Sequence, residues 1–200
     1  MKIIRNKNLW VRLGSMWIVG LAILLLAWVL SYRALPEGVA RGSSAPYYVP
    51  IQAEDVMTTF IRIFLWNLCL GGVLIALANF FQIKGFPLGY LLVFYHWAMY
   101  GVLLGTNSFV IPGPERFFPS LTTLFYGSGM YEISAYTLIS SATFNLHGQF
   151  EGSSSRNQGT TKKSKWSMPK LSKAEWGVIA FAVLILGASN YFEALNIFHM

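Results

Sequence analysis

Apolar residues gather into five long stretches, separated by short polar or proline-rich segments. They cover approximately residues 15–32 ("MWIVGLAILLLAWVLSY"), 57–82, 88–110, 120–146 and 176–198. Each reaches the length, roughly 17–25 residues, at which a helix crosses a hydrocarbon core about 30 Å thick. The pattern therefore predicts an all-α integral membrane bundle, a single membrane domain over residues 1–200 with five transmembrane helices. Lys2, Arg5, Lys7 and Arg12 precede the first stretch. Its apolar core is longer than the roughly 7–15 residues of a secretory signal, so an uncleaved anchor is expected.

The connections have distinct characters. Residues 33–56 hold Pro36, Pro46 and Pro50 and read as a loop, with Asp55 placed to cap the helix that follows. "KGFPLG" (84–89) predicts a tight hairpin, and "IPGPERFFPS" (111–120) a rigid turn. Residues 147–175 form the longest polar segment and read as a flexible loop.

Composition agrees with a membrane location: 54% of residues are hydrophobic and 12% charged, against about 25% charged in ordinary soluble domains. The net charge of +7 does not point to nucleic acid, because the basic residues flank apolar segments. They define an orientation instead. With the N-terminus in the cytoplasm, the inner side receives Lys2, Arg5, Lys7, Arg12, Lys84 and the basic residues of loop 147–175. The outer side receives Arg33, Arg41 and Arg116 in loops, and loop 33–56 is external. Five crossings then put the C-terminus outside, and a multi-pass protein of the cell membrane is expected. Within "KKSKWSMPKLSK", Lys162, Lys163, Lys165 and Lys170 are placed to meet anionic lipid headgroups.

Candidate chemistry is sparse. Glu132 lies in the fourth stretch, with no other charged residue between Arg116 and Glu151. Helix rise places it at a depth similar to Asn67, Tyr100 and Gly101. A protonated Glu132 bonded to Asn67 is cheaper in lipid than an isolated carboxylate, and Arg62 is a second candidate partner. Ser128, Glu132, Tyr136 and Ser140 share one helix face. Gly129 beside them, and Gly101 and Gly105 four apart, allow close helix approach. These features predict spans two, three and four as the packed centre, leaving span one for lipid or a partner subunit. Asn190 and Glu193 are expected to reach the interface or a partner.

Glu132 has two readings, a helix-packing acid and a proton or cation site. His96 is a candidate single axial ligand for a haem or chlorophyll-type pigment. His147 and His199 lie at span ends and give it no partner at matching depth, so an imidazole bonded near the interface is preferred and no cofactor is predicted. The lone Cys69 excludes an intramolecular disulfide. No phosphate loop, metal-ligand cluster or nucleophile–base pair has recognisable spacing, and an enzyme is not expected. The features suit a non-catalytic scaffold or accessory subunit that assembles with other membrane proteins. The alternatives are a permease or ion-conducting subunit using Glu132 and Asn67, and a pigment- or haem-binding accessory subunit of an energy-converting complex.

Three stretches carry a family resemblance. "IFLWNLCLGG" (63–72), "FYHWAMYGVLLG" (94–105) and "SGMYEISAY" (128–136) resemble, in order and spacing, the asparagine-containing span, the Asn-Gly-x-x-x-Gly element and the His-Gly-x-x-Glu segment of the stage II sporulation protein M family. The resemblance covers about residues 57–198. Asn67, Gly101, Gly105, Gly129 and Glu132 match the motifs, whereas Tyr100 stands where the family has asparagine and Ser128 where it has histidine. The resemblance implies a multi-span, non-enzymatic partner protein. In endospore formers it implies a scaffold that recruits cell-wall hydrolases.

Overall fold

The computed structural model describes residues 3–41, 55–83, 86–109, 115–149 and 171–198. Among the described residues, four helices are long and apolar enough to cross a membrane. They are α1 (Leu9–Ala34), α2 (Val56–Ala78), α3 (Leu88–Thr106) and α6 (Lys173–Phe198). The chain is thus a multi-pass membrane protein with a packed helical bundle. Between α2 and α3 lies a two-strand hairpin, β1 (Gln82–Ile83) against β2 (Phe86–Pro87), where the Lys-Gly-Phe-Pro run predicts a tight turn. Asp55 caps α2 as its position suggests, accepting the Thr58 N–H at 2.8 Å. The Thr58 hydroxyl and N–H hold its carboxyl below the usual carboxylate range. This cap therefore contributes at neutral pH and is lost as pH falls through the lowered value.

The fifth expected span, over 120–146, is not one continuous helix. That stretch is broken into α4 (Leu121–Tyr126) and α5 (Gly129–Ala142), followed by a 3₁₀ turn over Phe144–Gln149. Gly127 is extended (φ −97°, ψ 165°) and interrupts the helix. At fourteen residues, α5 is only about 21 Å long. It does not need to span lipid, because most of its side chains, including Tyr136, Thr137, Ser140 and Ser141, are buried in protein. Broken helices are tolerated at membrane depth where protein surrounds them.

α5 is the hub. It contacts α1, α2, α3 and α6, while the long helices pair as α1 with α3 and α2 with α6. The first pair corrects a second expectation. α1 does not stand apart for lipid; its contact with α3 is the most extensive between any two helices. Glycines explain why. A Cβ at Gly105 would collide with Ser31 Oγ and lie 2.7 Å from the Trp28 carbonyl. One at Gly101 would collide with the Leu24 carbonyl, and one at Gly20 would meet the Trp97 indole. The Gly101–Gly105 pair is thus used on α1, not on span two or four. Gly71 and Gly72 lie in a π-helical turn of α2 (Asn67–Val73). Gly71 admits the Tyr136 ring of α5.

Two arginines hold the ends. Arg12 is fully buried and Glu175 nearly so. Arg12 donates from Nε to the Ser141 carbonyl (2.9 Å) and from Nη1 to the Asn6 carbonyl (2.8 Å), and its Nη2 lies 3.5 Å from Glu175 Oε1. Its guanidinium covers the Phe144 ring at 4.7 Å. Glu175 also accepts from Asn145 Nδ2 and from the Ser172 N–H, while Ser172 Oγ accepts the Glu175 N–H. "SKAE" (172–175) is therefore a capping box that starts α6, and the same acid ties that start to α1 and to the 3₁₀ turn after α5. Nearby, buried Asn79 donates to the Ser140 carbonyl (2.9 Å) and Thr143 Oγ1 (2.7 Å).

At the opposite end Arg116 is paired with backbone. Its Nε donates to the Gly105 carbonyl, and Nη2 lies 2.7–3.1 Å from the carbonyls of Gly105, Ser31, Tyr32 and Leu35, sharing its two protons among them. One cation thus caps the C-termini of α1 and α3, where carbonyls lack partners and the helix dipoles are negative.

Gly105→Leu is expected to lower the thermal unfolding temperature in detergent strongly, by overpacking worth at least about 1–3 kcal/mol, while an exposed change such as Leu184→Ala has little effect. Arg116→Gln, which cannot serve both helix ends, is expected to destabilise by about 2 kcal/mol in the same assay. An unchanged midpoint would remove the double cap.

Candidate polar cleft between α2, α3 and α5

The polar residues singled out in the sequence converge where α5 begins. Glu132 Oε1 accepts from Asn67 Nδ2 of α2 (3.2 Å) and from Asn190 Nδ2 of α6 (2.6 Å). Asn67 Nδ2 is also within 3.2 Å of Asn190 Oδ1. Ser128 Oγ donates to Glu193 Oε2 (3.3 Å), and Ser189 Oγ donates to the Ser128 carbonyl (3.0 Å). The carboxyl groups of Glu132 and Glu193 are neighbours in this layer.

The fold makes this layer from three helices. Asn67 lies eleven residues after the start of α2, and Asn190 eight before the end of α6, so both sit about 12–17 Å from the same end of the bundle. The break at Gly127 starts α5 at that level and places Glu132 in its first turn. Arg62, the other candidate partner, is exposed on α2. The sequence reading of Asn190 and Glu193 as interface residues is corrected: Asn190 is fully buried and both turn toward Glu132. A signal was present. Val178, Ala182, Leu186 and Asn190 recur every fourth residue and form the buried stripe of α6. Ala194 continues it, with the partly buried Glu193 beside it.

Glu132 also faces a cleft of about 170 Å³ lined by Trp66, Asn67, His96, Tyr100, Glu132 and Tyr136, among others. Leu70 and Tyr95 stand exposed at its rim. Their flanks carry other exposed apolar side chains, such as Leu74 and Leu91, so the cleft opens sideways on a lipid-type surface. Gly129 shapes it, because a Cβ there would collide with the Tyr100 ring. Tyr100 thus meets α5 through Gly129, whereas its neighbours Gly101 and Gly105 face α1 and belong to helix packing.

His96 lies within the cleft. Its Nδ1 is 2.7 Å from the Leu92 carbonyl of its own helix, and its ring packs edge-on against Tyr95 and Tyr136. The cleft is smaller than the roughly 300–1,000 Å³ typical of sites for drug-sized ligands, so its volume does not suit an enclosed macrocycle. Among the described residues no group of three histidines, cysteines or acids is arranged for a metal. Cys69 is exposed. Lys162, Lys163, Lys165 and Lys170 lie outside the described residues.

Comparison with protein-family models, with characterised proteins and with solved structures gives no match.

Glu132→Leu removes the acceptor shared by two carboxamides and is expected to destabilise the bundle by about 2 kcal/mol or more. Glu132→Gln keeps an acceptor oxygen and should cost less than about half of that. Thermal unfolding of both variants in one detergent checks the order; equal losses would show that the acceptor is not what holds α2 and α6 to α5.

Proposed function

We propose that this protein is a non-catalytic scaffold or assembly subunit of a larger membrane complex, and that the α2–α3–α5 cleft is where a partner helix engages. The observation that carries this reading is the sideways opening of a polar, carboxyl-floored cleft onto an apolar surface. A hydrogen-bond donor or a cation is unfavourable on a lone helix in lipid. Such a group on a partner helix finds in Glu132 an acceptor at matching depth. The resemblance to the stage II sporulation protein M family points the same way, since it implies a multi-span partner protein.

The test is gentle extraction of the full chain followed by native mass spectrometry. Wild type is expected to retain a second membrane protein in defined stoichiometry. Leu70→Trp, which fills the rim and leaves the carboxyl pair in place, is expected to release it. A chain that is monomeric and partner-free under these conditions would overturn the scaffold reading.

A second reading, an ion- or proton-conducting subunit, is favoured by one feature: two neighbouring acids, Glu132 and Glu193, the first of them lining an open cleft. It predicts proton flux in vesicles containing the wild-type chain, abolished by Glu132→Gln in a variant that still folds. Absence of flux in the wild type removes it.

A further inference from the structure

The second cavity lies at the other end of the molecule and has a different chemistry. It is a groove of about 920 Å³ between α1 and α3. Ser15, Ile18 and Val19 form one wall, and Leu91 and Phe94 the other. Ile83 and Phe86 of the hairpin bound it, together with Ile3, Ile4 and Arg5 of the N-terminal turn. Ile18 is 70% exposed, Ile83 53% and Leu91 42%, so the apolar walls have no protein cover. Among the described residues Arg5 is the charged residue of the lining, and no acid lies there.

The groove is built, not a chance gap between helices. Buried Arg12 donates to the carbonyls of Asn6 and Lys7 at 2.8 and 3.4 Å. Asn6 Oδ1 accepts the Asn8 N–H, and Asn8 Oδ1 in turn accepts the Trp10 N–H that opens α1. Ile4 is buried. The same arginine that joins α1, α5 and α6 thus fixes the N-terminal turn and stands Arg5 at the groove mouth. Arg5 precedes α1, at headgroup level. Ser15 to Val19 lie about 9–15 Å into the helix, where acyl carbons run.

We propose that this groove binds one phospholipid of net negative charge, its acyl chain along Ile18, Leu91 and Phe94 and its phosphate against Arg5. The polarity profile is that of an amphiphile: an apolar trough in the size range of ligand sites, with, among the described residues, a cation at one end and no acid to serve a zwitterion's amine. By the positive-inside rule this end faces the cytoplasm, where anionic lipids attract basic residues at about 1 kcal/mol each. The site is separate from the carboxyl cleft and does not depend on the scaffold reading.

The full chain is purified in a neutral detergent, supplied with equimolar phosphatidylglycerol and phosphatidylcholine, and examined by native mass spectrometry. Wild type is expected to retain one phosphatidylglycerol in preference to phosphatidylcholine, by about fivefold, with the preference shrinking at high salt. Arg5→Gln should bring the two lipids to parity. Ile18→Trp, which fills the groove, should reduce retention of both. Arg5 and Ile18 are exposed, and unchanged thermal midpoints in lipid-free detergent confirm that the variants fold. The proposal is overturned if Arg5→Gln keeps the preference, or if Ile18→Trp leaves retention unchanged. It is also overturned if the preference instead disappears when Lys162, Lys163, Lys165 and Lys170 are replaced by glutamine, which would place the lipid on the basic loop. Release of a bound protein by Ile18→Trp, with lipid retention intact, would assign the groove to a partner and equally overturn it.

Discussion

The bundle depends on burying a helix that is too short and too polar for lipid. With no water in the hydrocarbon, every polar group at membrane depth must find its partner inside the protein. α5 approaches that requirement by being surrounded, although its buried Ser140 and Ser141 hydroxyls have no hydrogen-bond partner among the described residues. Trp97 Nε1 of α3 donates to Thr137 Oγ1, Asn79 of α2 donates to the Ser140 carbonyl, and Arg12 of α1 donates to the Ser141 carbonyl. Asn190 of α6 donates to Glu132. Each long helix thus supplies a donor to the short one. Apolar attraction between helices is weak where the solvent is itself apolar, so these directional bonds fix which helices neighbour α5 and at what height.

The same constraint organises the two ends. A buried guanidinium would be unfavourable alone, yet Arg12 has acceptors for its Nε and both Nη atoms. Arg116 needs no carboxylate, because two helix C-termini offer it carbonyls and negative dipole ends. Both arginines are counted by orientation rules as flanking charges. In the folded chain they are fasteners, and the positive-inside pattern and the packing use the same residues.

The carboxyl layer follows from the break in the fifth stretch. Had 120–146 formed one helix, Glu132 would have stood in mid-helix with its carboxyl on whichever face the period imposed. Gly127 instead ends α4 and lets α5 start afresh, with Ser128 and Glu132 turned toward α6. A first-turn acid is favoured by the positive end of the helix dipole. Glu193 occupies the place beside Ser128, which thus engages an acid from another helix.

Much was legible from the sequence alone. Long apolar runs determined that the chain is a multi-pass helical membrane protein, because helix length and hydrocarbon thickness are fixed quantities. Asn67 and Glu132 were legible as partners, because polar groups at equal depth in lipid must pair. The Asp55 cap and the tight hairpin followed from local backbone chemistry. Only the tertiary structure decided that the fifth run is broken, since its hydropathy does not distinguish a lipid-facing helix from a short one wrapped in protein. It also decided that Gly101 and Gly105 serve α1, that Asn190 and Glu193 turn inward, and that Ser172–Glu175 joins α6 to α1 and to the 3₁₀ turn after α5. Spacing along a helix says which residues share a face, but which neighbour that face meets depends on the packing of the whole bundle.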